Sequence, residues 1–293
     1  MTTLARTAEA SRRYGDVLAL DRVSVEIGAG ELVGLLGPNG AGKSTLLNLF
    51  VGLRRATSGT VELLGGSPAD PAVRRGIGVT PQETGLPEAL RVGEIVRFVS
   101  SHYPDPVRPG DLLERFGLAD LARRQVGGLS GGQKRRLAVA LAFAGNPQIV
   151  FLDEPTTGLD VEARRALWEG IREFHDGGGT VVLSSHYLEE IEALAHRVVV
   201  LGHGRVLVDD TVQAVRGMAG VKQVSLVADV LPDLPGVLGR STDGERVTLV
   251  TDDADRLVVE LVRAGTPFSG LEITQTTLED AFLAITAKET ADV

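Results

Sequence analysis

Nine consecutive residues, Gly37-Pro38-Asn39-Gly40-Ala41-Gly42-Lys43-Ser44-Thr45, carry the strongest chemical pattern in this 293-residue chain. Their glycines let the backbone curl until successive N–H groups face one anion, and a helix beginning near Lys43 turns its positive end the same way. The apolar run 32–36 leads into them, so the context is strand, loop and helix, as a phosphate-binding loop requires. In such a loop the lysine, Lys43, reaches the β- and γ-phosphates of a nucleotide triphosphate, and the Ser44 hydroxyl ligates Mg²⁺.

A second pattern answers the first. Ile149-Val150-Phe151-Leu152-Asp153-Glu154 is an apolar strand that ends in two carboxylates. Alone, such a pair also suits a helix cap or a solvated turn. Downstream of a phosphate loop it gains another role: Asp153 can hold Mg²⁺, and Glu154 can face the γ-phosphate and polarise an attacking water. The third pattern is Leu129-Ser130-Gly131-Gly132-Gln133, followed by Lys134, Arg135 and Arg136. Ser130 suits a helix N-cap, and the glycines expose N–H groups at the positive end of that helix.

The elements that must hold these residues follow from pattern and composition. Short β-branched runs at 24–27, 31–36, 60–64, 77–80, 148–153, 180–184 and 198–201 alternate with helical stretches at 43–51, 92–102, 130–144, 161–175 and 187–195. The expected class is α/β, a parallel sheet covered by helices. Beyond about residue 211 the pattern changes to a short helix, strands at 223–227, 247–250 and 272–274, and helices at 253–263 and 278–286. Charge changes there too: from Met218 onward six basic residues face thirteen acidic ones, whereas the whole chain carries −9. Two domains are therefore expected, 1–217 and a small α+β domain at 218–293.

Composition excludes several chemistries. There is no cysteine, hence no disulfide, thiolate metal site or cysteine nucleophile, and the five histidines are scattered, so any metal should be oxygen-bound. The acidic balance argues against a nucleic-acid binder working by bulk electrostatics. No apolar run approaches the roughly 20 residues a bilayer span needs.

The pentapeptide Leu129 to Gln133, lying between a phosphate loop and an Asp-Glu strand end, resembles the signature of ATP-binding cassette (ABC) ATPases. Gln82 resembles that family's Gln loop, which touches Mg²⁺ and the attacking water. Gly158-Leu159-Asp160 resembles its D-loop, His186 its switch histidine, and Tyr14 the aromatic on which adenine stacks. The resemblance implies a P-loop NTPase fold with a RecA-like core, an antiparallel β subdomain and a helical signature subdomain. It implies ATP and Mg²⁺ as cofactors: Glu154, His186, Gln82, Lys43 and Asp160 serve catalysis, and Ser44, Gln82 and Asp153 serve the metal. Tyr14, the nine loop residues Gly37 to Thr45, and Ser130, Gly131, Gly132 and Gln133 bind the nucleotide, the last four across a head-to-tail dimer.

Partners implied in the same way are a second copy or homologous ATPase subunit and integral membrane permease subunits, with no nucleic acid expected. The location implied is cytoplasmic, peripheral on the inner face of the cell membrane. Thr277-Leu278-Glu279-Asp280-Ala281-Phe282-Leu283 and Ser184-Ser185-His186-Tyr187-Leu188-Glu189-Glu190 resemble ABC-2-type exporter ATPases of the antibiotic and multidrug kind. A soluble ABC ATPase acting on ribosomes or DNA is the alternative. Residues 83–97, mixing Leu86, Leu90, Ile95 and Val96 with charges, suit either a permease-docking surface or an amphipathic helix packed on its own domain.

Overall fold

The computed structural model describes residues 2–80, 85–218, 220, 222–228, 231–232, 234–275 and 277–291. The chain divides into two compact units, Met1–Asp209 and Asp210–Val293. In the first, the elements run β1 (Thr3–Tyr14), β2 (Val17–Gly28), β3 (Leu32–Leu36), α1 (Lys43–Phe50), β4 (Ser58–Leu63), α2 (Pro71–Arg74), β5 (Ile77–Thr80), α3 (Val92–Ser100) and α4 (Pro109–Arg115). They continue with α5 (Gly131–Ala142), β6 (Ile149–Asp153), α6 (Val161–Asp176), β7 (Thr180–Ser184), α7 (Leu188–Leu194), β8 (Arg197–Gly202) and β9 (Arg205–Thr211).

Every residue of β3 and β7 is buried, as is all of β6 but its terminal Asp153, so these strands have apolar side chains on both faces. That is the requirement of a parallel sheet covered on two sides. The six strands order as β5-β6-β7-β3-β8-β9, and β5, β6, β7, β3 and β8 run parallel to one another. Their C-terminal ends therefore open on one edge, where an open α/β sheet receives ligands. The helix after the phosphate loop is seated on this sheet through Phe50 of α1 and Phe151 of β6, whose rings stack with centroids 5.8 Å apart.

A second sheet, ordered β2-β1-β4, is antiparallel throughout. Its central strand β1 was not expected: Ala5, Ala8 and Ala10 carry little strand propensity. Pairing on both edges overrides that preference, and the buried Thr7 hydroxyl accepts from the Val25 amide at 3.0 Å. In α3, Val92, Ile95 and Val96 are buried within their own domain. The apolar residues of stretch 83–97 are thus largely spent on packing, and Leu90, just ahead of α3, and Phe98 within it stay exposed.

The second unit begins with α8 (Val212–Gly217) and continues β10 (Lys222–Val227), β11 (Val237–Asp243), β12 (Arg246–Thr251), α9 (Ala254–Arg263), β13 (Ser269–Gln275) and α10 (Leu278–Ala291). The contact division falls ahead of α8, where composition had placed the boundary after it, because α8 packs on α10. The sheet orders as β11-β12-β10-β13, antiparallel at every pairing. Val224, Leu226, Val247 and Leu249 form one apolar face that packs on Ala254, Leu257 and Leu261 of α9. Thr277 and Asp280 close a reciprocal cap at the start of α10: the Asp280 amide donates to Thr277 Oγ1 at 3.2 Å and the Thr277 amide to Asp280 Oδ2 at 3.1 Å. Among the described residues no helix is long and apolar enough to cross a membrane.

One close approach sets the position of α5. A Cβ on Gly78 of β5 would stand 1.9 Å from the Ala142 carbonyl oxygen, so helix and strand meet backbone to backbone. Gly78→Ala should therefore destabilise the fold by about 1–3 kcal/mol as overpacking does, read as a lower Tm. An unchanged melting curve would refute the closeness of that contact.

Candidate active site

The loop between β3 and α1 curls as its glycines allow. Gly42 caps α1 with φ +105°, and a Cβ there would meet the Ala19 carbonyl oxygen at 2.7 Å. No side chain fits this position on either ground. Lys43 is only 7% exposed, and its Nζ donates to the carbonyls of Gly37 at 2.6 Å and Pro38 at 3.1 Å. Burial pulls the Lys43 pKa below the usual lysine value, while the charges of Glu154 and Asp153 hold it up. A cleft of ≈ 400 Å³ is lined by Tyr14, Val17, Ala19, loop residues Asn39 to Thr45, and Glu154. The Arg12 guanidinium lies 4.5 Å from the Tyr14 ring centroid, covering one face of the ring.

Ladder register brings the acidic strand end to this loop. Asp153 pairs with Ser184, and Ser184 with Leu35. The Ser184 hydroxyl donates to Asp153 Oδ1 at 2.5 Å, and the Glu154 amide reaches both the Ser184 carbonyl and hydroxyl oxygens at 3.1 Å. Glu154 sits at φ +48°, the left-handed region, a costly conformation for a residue with a Cβ. Its Oε2 lies 3.3 Å from His186 Nδ1 and accepts from Thr157 Oγ1 at 3.3 Å. His186 in turn packs against Tyr187 at 4.0 Å between ring centroids, and the Arg164 guanidinium of α6 lies 5.0 Å from the Tyr187 ring. The imidazole is thus backed by a ring and a cation before it meets the carboxylate.

A smaller cavity of ≈ 130 Å³ is lined by Ser44, Thr80 and Asp153 among others. The recess is walled mostly by apolar side chains such as Leu47, Val51 and Phe151, and within it the Ser44 hydroxyl and Asp153 carboxylate are hard oxygen donors, the set that suits Mg²⁺. Ser44 lines both cavities, so one hydroxyl borders the recess and the larger cleft alike.

Other expected residues lie elsewhere. Ser130, Gly131, Gly132 and Gln133 do not line the cleft of their own chain; they form the start of α5, with Ser130 and Gly131 exposed. Ser130 Oγ accepts from the Gln133 amide at 3.2 Å, and Gln133 Oε1 from the Ser130 amide at 3.0 Å, a reciprocal cap. Asp160 is exposed and caps α6, accepting from the Ala163 amide at 2.8 Å. Gln82 lies outside the described residues.

Two buried charges behind the acidic turn escaped the motif-based reading of function. Arg135 of α5 donates to the backbone carbonyls of Asp153, Glu154 and Pro155. Glu190 of α7, fully buried, accepts from Thr156 Oγ1 at 2.9 Å and Trp168 Nε1 at 3.2 Å and is bonded to the Ser185 side chain as well. For Glu190 the available signal was an acidic residue on the apolar face of a short helix, one position before Ile191. Arg135 gave none, since three consecutive cations at a helix start read as a solvated face.

A strand, a phosphate-curled loop and a helix beside an acidic strand end define a nucleotide-hydrolysing protein of the P-loop class. The family model for ABC transporters matches residues 20–157. The doxorubicin resistance ATP-binding protein DrrA of Mycobacterium tuberculosis is 34% identical over 94% of this chain and 91% of its own length. The Nod factor export ATP-binding protein I of Rhizobium etli is 34% identical over 96% and 93%. A solved ATP-binding subunit of an ABC transporter superposes with a TM-score of 0.67 at 31% identity, covering 73% of this chain and 92% of that one. The dimeric post-hydrolysis state of the cassette MJ0796 bound to ADP and Pi gives 0.64 at 27% identity, covering 71% and 98%. The chain belongs to the ABC transporter family, as an ATP-binding and ATP-hydrolysing subunit.

The buried carboxyl behind the turn makes stability depend on pH. Burial raises the Glu190 pKa above its ordinary 4.5, against the hydrogen bonds from its neighbours and the charge of Arg164. An acid whose pKa is raised on folding carries no penalty while it is protonated in both states, and destabilises the fold progressively as pH rises from the unfolded value of 4.5 up to its folded-state value. Relative to Glu190→Gln, the parent should lose stability with rising pH over that window, whatever constant offset the amide introduces. Urea unfolding at a series of pH values checks this; parallel curves for the two proteins would count against it.

Proposed function

We propose that this chain is the motor of an exporter, closing as a head-to-tail pair around two ATP molecules and driving separate membrane-spanning subunits from the cytoplasmic face. The observation that carries the proposal is the separation of the motifs. Tyr14, the phosphate loop and Glu154 share one cleft, while Ser130 and Gly131 stand exposed away from it, so the Ser130 hydroxyl and the Gly131 N–H serve a nucleotide held by a second copy. The cassette MJ0796, solved as a dimer, supports this pairing. Export is supported by relatives named for drug resistance and Nod factor export, which match this chain over nearly its whole length. They favour a transporter over the alternative of a ribosome- or DNA-acting ATPase.

In this reading the Tyr14 ring stacks on adenine by the face that Arg12 leaves free. Lys43 exchanges its two loop carbonyls for phosphate oxygens, a partner that answers its buried charge. Ser44 and Asp153 hold Mg²⁺, joined by Gln82, and the metal when bound neutralises phosphate charge. Glu154 takes a proton from the attacking water, and His186 orients its carboxylate. Asp160 acts at the dimer seam beside the second copy.

Glu154→Gln should keep nucleotide affinity and lose about 10²–10⁴-fold in turnover, because the amide preserves shape and removes the base. Phosphate release at steady state measures this, and near-parental turnover would reject the assignment. Tyr14→Ala should weaken ATP binding by about 1–3 kcal/mol, the worth of base–aromatic stacking, with Tyr14→Phe mild. Equal affinities for alanine variant and parent would reduce Tyr14 to a packing residue. Export itself is read in vesicles holding the membrane protein of a neighbouring gene, with ATP and doxorubicin on the cassette side. Accumulation across the bilayer that Glu154→Gln abolishes supports the proposal; equal movement with either chain refutes it.

A further inference from the structure

The turn 153–155 presents three consecutive backbone carbonyls to one side chain. Arg135 Nη2 donates to the Asp153 oxygen at 2.6 Å and the Glu154 oxygen at 2.9 Å, and its Nε donates to the Pro155 oxygen at 3.3 Å. Arg135 is nine-tenths buried, and its planar fork is the donor geometry that can serve several acceptors in one plane. The middle residue of the three, Glu154, has left-handed backbone. From the opposite side the same turn is pinned by Ser184 of β7. One clamp therefore belongs to the rigid sheet and the other to a helix.

That helix is the one whose first turn is Ser130-Gly131-Gly132. Arg135 follows Ser130 by about 7.5 Å along the axis at 1.5 Å per residue, with unbroken helix between. Whatever engages the start of α5 acts on the guanidinium, and through it on the peptide that carries the Glu154 side chain. We infer that Arg135 is a positioning residue that sets the pose of Glu154 and couples it to engagement of the Ser130–Gly132 segment by the second copy's nucleotide. The inference rests on the proposed function, in which Glu154 is the base and the segment acts across a dimer. It adds a physical link between the two ATP sites: the α5 start reports on one, and the turn it grips serves the other.

Arg135→Lys and Arg135→Gln in the full-length chain test it, since neither can span three carbonyls. Turnover should fall about 10–100-fold, the scale of a misplaced catalytic group. The affinity for a fluorescent ATP analogue should stay within about 2-fold of the parent, a kcat effect without a binding effect. Coupling is read from Ser130→Ala, made in the parent and in Arg135→Lys: the second background should show the smaller fold-loss, because the link is already cut. Parental turnover in both Arg135 variants would overturn the inference, as would equal Ser130→Ala losses in the two backgrounds. A joint collapse of Tm, affinity and turnover in both would also overturn it, leaving a purely structural clamp. Glu154→Gln assayed alongside separates the two failures. If it turns over normally, the reading of the site has failed; if it is inactive while the Arg135 variants are normal, only the Arg135 role has.

Discussion

The parallel ladder that sets Leu35, Ser184 and Asp153 abreast is the constraint on which the rest of the site depends. The phosphate loop leaves β3 just beyond Leu36, the His186 segment leaves β7 just beyond Ser184, and the acidic turn leaves β6 at Asp153. Side chains in a strand alternate faces, so a slip of one residue would turn Asp153 away from the recess it lines and put Leu152 in its place. What forbids the slip is burial: Val150, Leu152, Val181 and Leu183 are fully buried together with Phe151 and Val182. The chemistry is held in place by aliphatic packing several ångströms beneath it.

Charge accumulates around that edge, and each buried charge is met differently. Lys43 is held by two loop carbonyls. Arg135 is held by three consecutive carbonyls of the acidic turn. Glu190 is held by a threonine, a tryptophan and a serine, from α6 and from the loops that carry Thr156 and His186. Neutral donors do most of the compensating for Glu190, with the Arg164 charge a smaller contribution, and desolvation outweighs them together, so its pKa rises. Neighbouring groups with such different compensation allow Glu190 to be altered without neutralising Lys43.

The curled loop and the acidic strand end were legible in the sequence because their backbone demands are unusual. Only glycine suits Gly42, and an apolar run ending in Asp153-Glu154 has few uses beside a phosphate loop. The elements were legible where periodicity was strong, as in β3, β6, β7 and α6. β1 was not, because its alanines and polar residues become a strand only by pairing with β2 and β4. Nor were the supports: that Arg135 turns inward to backbone carbonyls depends on the conformation of a turn eighteen residues downstream, which no local pattern encodes. The α8 boundary was missed for a similar reason, since composition reports the charge of a segment and not which helix covers it.

Tyr14, with Arg12 on one face and Val17 and Ala19 nearby in the cleft, has a further consequence. A ring face and a set of phosphate donors measure flatness, length and charge, and every purine offers a flat face. With Tyr14 stacking as proposed, the grip is indifferent to the lettering of the base. Selection of adenine over guanine then falls to the relative supply of the two triphosphates in the cell.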